Sequence, residues 1–280
     1  MWTARRKGVA WPGMSPHARR SENDGIVTVM FTRDEKLNAV STAMLEVVRA
    51  AVNDLGERDE LRVLVITGEG RYFTSGLDLG AMGEIGGSQQ DRQTTFRRRY
   101  RRLHLLFDEM EAVEKPVVLA ANGPCLGIGV EMGSSADFRL CAEHAVFGLP
   151  EVPNLGFIPS SGGISRFTRL VGPHWARYVV MAGKNIDAET ARTIGFVHEI
   201  YPAEGFADRV HAFARDLAAL PGEAVGVAKL AIDAAASVDR VTARDFDRVA
   251  STMLLRSEDH QDRVAALPSR NKTGARPDPT

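Results

Sequence analysis

The sequence predicts an α/β protein that continues into a helical C-terminal region. Strand-length apolar runs recur at Ile26 to Phe31, 61–67 and Val117 to Ala121, with helical patterns between them. These runs are nearly continuous rather than alternating, as in strands covered on both faces. From Phe206 to residue 267 the pattern is helical almost throughout, broken at Pro221-Gly222.

With 280 residues the chain can bury a sizeable core, and 44% hydrophobic with 25% charged residues is an ordinary globular balance. A formal net charge of -1 gives no global attraction to nucleic acid or to acidic membranes. Cys125 and Cys141 are the only cysteines, which excludes a disulfide framework, and no apolar run reaches membrane-spanning length. A cytoplasmic location is expected on those grounds.

Residues 1–21 carry Arg5, Arg6, Lys7, Arg19 and Arg20 with no acid, as an organellar transit peptide would. The segment is nevertheless Ser-poor and interrupted by Pro12, Gly13 and Pro16, so an unstructured basic leader is expected, with Met14 a second candidate start. Asp24-Gly25 marks a turn into the first strand, Ile26 to Phe31. A polar connection, 33–38, enters a helix capped by Ser41 or Thr42, with Glu46 near its first turn and Met44, Leu45, Val48, Val52 and Leu55 on one face. The strand 61–67 leads to Phe73-Thr74-Ser75-Gly76-Leu77-Asp78-Leu79, and 83–88 is a Gly-rich interruption.

A helix over 94–112 points Leu103, Leu106, Phe107 and Met110 inward. Its Arg97, Arg98, Arg99, Arg101 and Arg102 read as a solvated face, with phosphate binding the alternative; Tyr100 alone interleaves as an aromatic, too few for base stacking. Short strands follow at 137–142 and 145–148, then a helix through Ile164, Phe167 and Leu170 and another begun by Pro173 and ended near Gly183. His104, His144, His174 and His198 show no metal-ligand spacing. Residues 268–280, with three prolines among them, read as a disordered tail.

The stretch Val117 to Glu131 carries the chemistry. A buried strand ends in the turn Asn122-Gly123-Pro124, and Gly127 and Gly129 then admit close backbone approach as a helix begins. Such a helix start presents N–H groups that can face a polarised carbonyl, and Glu131 lies one turn in.

Together the motifs resemble the crotonase superfamily, the enoyl-CoA hydratases and isomerases. The resemblance runs from Asp24 to Pro202, through Glu35-Lys36-Leu37-Asn38-Ala39, Phe73 to Leu79, Ala121-Asn122-Gly123, Gly127-Ile128-Gly129-Val130-Glu131, Pro150-Glu151 and Gly162-Gly163. It implies a spiral of stacked ββα turns over 22–203 with an acyl-CoA site, a helical trimerisation region over 204–267, a homotrimer or hexamer, and no metal or redox cofactor beyond the substrate's own coenzyme A. It further implies an oxyanion hole from the N–H groups of Leu77 and Ile128, Glu131 as the carboxylate that activates water, and Glu151 as the one that exchanges a proton at the α-carbon. Lys36, Ala39, Ser75, Leu77, Asp78, Leu79 and Ile128 fall at positions that the resemblance places along the CoA thioester.

By its own chemistry Asp78, like Asp137, reads as a cap or structural hydrogen-bonder. Three departures from the family pattern stand out. Ile128 replaces a more usual glycine; Val152-Pro153-Asn154-Leu155 is one residue longer than usual before Gly156, a length that a bulge at Pro153 would absorb; and the further acid of dienoyl-CoA isomerases is missing near Ile158-Pro159-Ser160. The resulting expectation is addition of water to a 2-enoyl-CoA, with isomerisation, thioester hydrolysis, carbon–carbon cleavage or mere acyl-CoA or RNA binding as the alternatives.

Overall fold

A computed structural model describes residues 15–78, 80 and 92–267. The described chain forms two compact units, the first ending at Gly222 and the second beginning at Glu223.

The first unit is built on a six-stranded sheet: β1 (Ala18–Asn23), β2 (Ile26–Phe31), β3 (Val63–Gly68), β4 (Val117–Ala121), β6 (Phe138–Ala142) and β9 (Glu199–Tyr201). All neighbours are parallel except the β1–β2 hairpin. A three-stranded sheet of β5 (Cys125–Leu126), β7 (Val146–Gly148) and β8 (Ile186–Asp187) lies in a second layer. Single bridges between Val40 and Leu77 and between Thr74 and Cys125 continue that layer. Each turn of the chain thus contributes a main strand, a short second-layer segment and then a helix. This is the ββα spiral that the resemblance implies.

Alternation along the strands explains why they are apolar throughout. Val27, Val29 and Phe31 of β2 and Leu64 and Ile66 of β3 join one core cluster with α1 (Thr42–Glu57) and α2 (Arg92–Ala112). Ile26, Val63, Val65, Val118 and Leu140 face the other way and pack on Phe206, Val210 and Ala214 of a later helix, Phe206–Ala218. That helix covers the second sheet face and belongs to the first unit, so the boundary expected after residue 203 lies instead after Gly222. Its helical period could not distinguish covering its own sheet from joining an oligomerisation region.

The leader expected to run unstructured to residue 21 also needs correction, because β1 begins at Ala18. Arg20 pairs with Glu22 of the same strand (2.5 Å) and with Asp54 of a distant helix (2.6 Å), and Arg19 with Glu69. A basic window that stops at residue 21 therefore misreads a strand whose counter-charges lie just beyond it, at Glu22, and far along the chain, at Asp54 and Glu69. Residues 1–14, the 83–88 interruption and the 268–280 tail lie outside the described residues.

Helix α1 is capped by Ser41, whose hydroxyl accepts from the Met44 N–H at 3.3 Å. The reciprocal contact comes from the Met44 sulfur, which accepts from the Ser41 N–H at 3.5 Å, so Glu46 is not needed for a capping box. After α3 (Ile128–Ser134), β6 and β7 come α4 (Glu151–Leu155) and α5 (Gly163–Ala176), the latter kinked at Gly172-Pro173. Helix α5 runs into a π-helical turn, Arg177–Met181, and α6 (Ala188–Thr193) leads to β9. Numbering the Phe206–Ala218 helix α7, the remaining helices are α8 (Gly222–Ala235), α9 (Arg240–Leu254) and α10 (Glu258–Ala266). From Glu223 onward these make the second unit.

Candidate active site

The site is built where α3 leaves the second-layer sheet. Strand β5 pairs with β7, and the Gly127 N–H donates to Gly148 O at 2.9 Å, fixing the start of α3. Gly127 takes φ +53, a conformation that disfavours a side chain, and so leaves Ile128 within the helix at an ordinary φ. A β-branched residue is tolerated there because only its backbone stands at the helix start. The Ile128 N–H belongs to the first turn, which has no intrahelical acceptor.

Beside it runs the segment around Leu77. Val40 donates to Gly76 O (2.8 Å) and accepts from the Asp78 N–H (2.9 Å), so by ladder geometry the Leu77 N–H faces away from Val40. Gly76 and Gly127 abut: a Cβ on Gly127 would lie 3.6 Å from Gly76 Cα. The two backbone stretches that carry Leu77 and Ile128 are therefore neighbours, with glycine at each point of approach.

Glu131 is only 4% exposed. Its Oε1 accepts from the Ser161 N–H at 2.8 Å and the Gly163 N–H at 3.3 Å. Burial raises its pKa, while those two backbone donors favour the charged form. A side chain at 163 would sit 2.7 Å from Oε1, so glycine is what lets the chain donate here.

Glu151, 8% exposed, opens α4. Its Oε1 lies 2.9 Å from where a Gly127 Cβ would stand, which brings it to the start of α3, and its buried Oε2 has no hydrogen-bond partner among the described residues. Burial, and secondarily the charge of Glu131, push its pKa up to about 7. The extra residue after Glu151 is not absorbed by a bulge as expected. It is taken up in a helical turn, with Asn154 N–H donating to Pro150 O and Gly156 closing the turn at φ +64. A strand-based reading could not anticipate this, because Pro153 is also acceptable in the first turn of a helix.

The remaining sequence-selected residues fall into two sets. Lys36 is exposed at the end of a 3-10 turn, Asp34–Lys36, and Ala39 is half-buried. Leu37 and Asn38 hold left-handed φ values of +50 and +51, and the buried Asn38 side chain fixes them: it accepts from the Arg33 N–H and donates to Glu69 O and Tyr72 O. Ser75 donates its N–H to Leu37 O at 2.9 Å, tying this loop to the Leu77 segment. Asp78 instead serves structure, accepting from Arg33 Nη1 at 2.8 Å and from the Gly80 N–H at 2.7 Å. Asp137 likewise accepts from the Val117 N–H at 2.7 Å. Leu79 lies outside the described residues.

Arg97, Arg98, Arg101 and Arg102 are exposed, as both a solvated face and a phosphate-binding one would be, and the Arg99 side chain lies outside the described residues. Sequence reasoning missed Tyr100 as a site neighbour. Its hydroxyl accepts from Ser160 Oγ (2.6 Å) and Ser161 Oγ (3.0 Å), and burial, with the charge of Glu131, raises its pKa. Only its lone aromatic character among arginines marked it.

The family model for enoyl-CoA hydratase/isomerase matches residues 21–271. The chain belongs to the enoyl-CoA hydratase/isomerase family, within the crotonase superfamily. It is 30% identical over 254 residues to a short-chain-enoyl-CoA hydratase of Clostridium acetobutylicum, an alignment spanning 90% of this chain and 94% of that one. It is also 30% identical over 213 residues to a 4-chlorobenzoyl coenzyme A dehalogenase of an Arthrobacter species, covering 76% of each. Among solved structures, an enoyl-CoA hydratase of Bacillus anthracis superposes with a TM-score of 0.81 at 27% identity, covering 89% of this chain and 95% of that one. Enoyl-CoA hydratase/isomerase membership is therefore secure, and the dehalogenase relative makes the site rather than the fold the guide to the reaction.

Proposed function

We propose that this member of the family adds water across the double bond of a 2-enoyl-CoA thioester. The observation that carries the reading is the pair of buried glutamates with unlike environments: Glu131 is held by two backbone donors, and Glu151 has an oxygen without a partner among the described residues and a pKa pushed up to about 7. Unlike environments divide base from acid work.

In this reading the thioester oxygen accepts from the N–H groups of Leu77 and Ile128. Glu131 takes a proton from water as its oxygen bonds to the β-carbon, and the alkene electrons move onto the thioester oxygen as an enolate. Fixed donors stabilise that developing charge, by roughly 3 kcal/mol each. The Glu151 carboxyl then delivers its proton to the α-carbon and the carbonyl re-forms. One proton has left Glu151 and one has reached Glu131, so a proton must return to Glu151 before the next turnover. Moving a double bond asks only for one carboxylate shuttling one proton, which leaves the second buried glutamate without a task.

Lys36, exposed beside the Leu77 segment, supplies a cation for the nucleotide end of CoA. Assembly as a trimer or hexamer is supported by the second unit, which exposes Ile232 (69%), Val249 (62%) and Met253 (64%). Incubation with matched 2-enoyl-CoA and 3-enoyl-CoA thioesters, read by mass analysis, tests the reaction. A gain of one water on the 2-enoyl substrate supports hydration; conversion of the 3-enoyl isomer with no water gained on either assigns isomerisation instead.

A further inference from the structure

The turn that holds Glu131 is itself held from outside. Residues 156–162 connect α4 to α5 between two left-handed glycines, Gly156 and Gly162. This connection supplies the Ser161 N–H that Glu131 accepts, and α5 begins with the other donor, Gly163. Helix α2 braces it at two points. Near its middle, the Tyr100 hydroxyl accepts from both serine hydroxyls. About two and three turns on, Asp108 and Glu111 bind Arg166 at 2.5 and 2.7 Å, and Arg166 also reaches Ser161 O at 3.3 Å. Tyr100 and Glu111 are eleven residues apart, so they share one helix face.

We infer that Tyr100 is a positioning residue for Glu131: by accepting from Ser160 and Ser161 it fixes the turn whose backbone N–H sets the direction of the catalytic carboxylate. This rests on the hydratase reading for its effect on rate, but not for its effect on Glu131 itself. The aromatic ring fills space that phenylalanine would also fill, whereas the two serine contacts need the hydroxyl. A pair of serines with a single shared acceptor holds the turn at both residues, and the separate Arg166 strut keeps the fold closed when the hydroxyl is gone.

The test is Tyr100→Phe in wild-type and Glu131→Gln backgrounds, with Ser160→Ala as the second variant because it removes a hydroxyl that engages Tyr100 and leaves both the N–H and the hydroxyl of Ser161 in place. Tyr100→Phe should lower kcat for hydration roughly tenfold and leave KM within about twofold, as misplacement of a catalytic group does. In Glu131→Gln it should cost nothing further, because the group that it positions is gone. Without substrate, carbon-13 NMR of glutamate-labelled protein should show the Glu131 carboxyl titrating higher in Tyr100→Phe and in Ser160→Ala, since the donors that favour its charged form are loosened. An unmoved Glu131 titration in both variants would overturn the inference whatever the substrate proves to be. An equal loss of kcat in both backgrounds would also overturn it, by making Tyr100 a substrate contact. If wild type adds no water to any enoyl-CoA while the Glu131 titration still moves, the hydratase reading fails and the positioning role stands.

Discussion

Replacing Glu151 by glutamine removes a carboxyl whose ionisation the fold opposes. One of its oxygens is buried without a partner among the described residues, and burial, with Glu131 nearby, lifts its pKa from 4.5 to about 7. For an acid whose folded value is raised, the folded state binds the proton more tightly than the unfolded chain. Stability is therefore greatest while the group is protonated in both states, below about 4.5, and is lost as pH rises through 7. The loss works out at about 2.5 kcal/mol between pH 5 and pH 8, and about 3.4 kcal/mol from both states protonated to both ionised. Glutamine does not ionise, so the stability difference between Glu151→Gln and wild type should move in the variant's favour by that amount over the same interval. Urea denaturation followed by circular dichroism at fixed protein concentration measures it, because titrating groups that do not interact with Glu151 cancel in the difference. A difference that stays flat with pH, within roughly 0.5 kcal/mol, would refute the claim that this carboxyl is buried at the expense of its charge. A variant more stable yet less active at neutral pH is what a site held under electrostatic strain should yield.

Two further outcomes follow from the same arrangement. Lys36→Ala should raise the apparent KM for the acyl-CoA severalfold and spare kcat, because uniform binding is lost; an unchanged KM removes Lys36 from the site. Light scattering should find a trimer or hexamer, and a monodisperse monomer would leave the exposed apolar residues of the second unit without the explanation offered here.

Much of this was legible in the chain itself, for physical reasons. The near-continuous apolar strands could only be covered on both faces, and the core clusters on either side of β2 and β3 are that cover. The spaced glycines before Glu131 pointed to a close backbone approach, and Gly76 and Gly127 do meet. What stayed hidden depended on partners distant in sequence. The β1 arginines looked like a free basic leader because Asp54 and Glu69 come to them only in three dimensions. Tyr100 looked incidental because the serines that it engages lie sixty residues away. Helix α7 could not be assigned to its sheet by periodicity, which gives the width of an apolar stripe and not what covers it.

The central claim, that two buried glutamates divide the work on one thioester, is tested most directly by steady-state hydration of a 2-enoyl-CoA by wild type, Glu131→Gln and Glu151→Gln. Each substitution keeps size and hydrogen-bonding capacity while removing the ionisable group. Both should lose roughly 10²-fold or more in kcat with KM changed little. Wild-type kcat in either variant, with the wild type itself adding water, would contradict the division of labour.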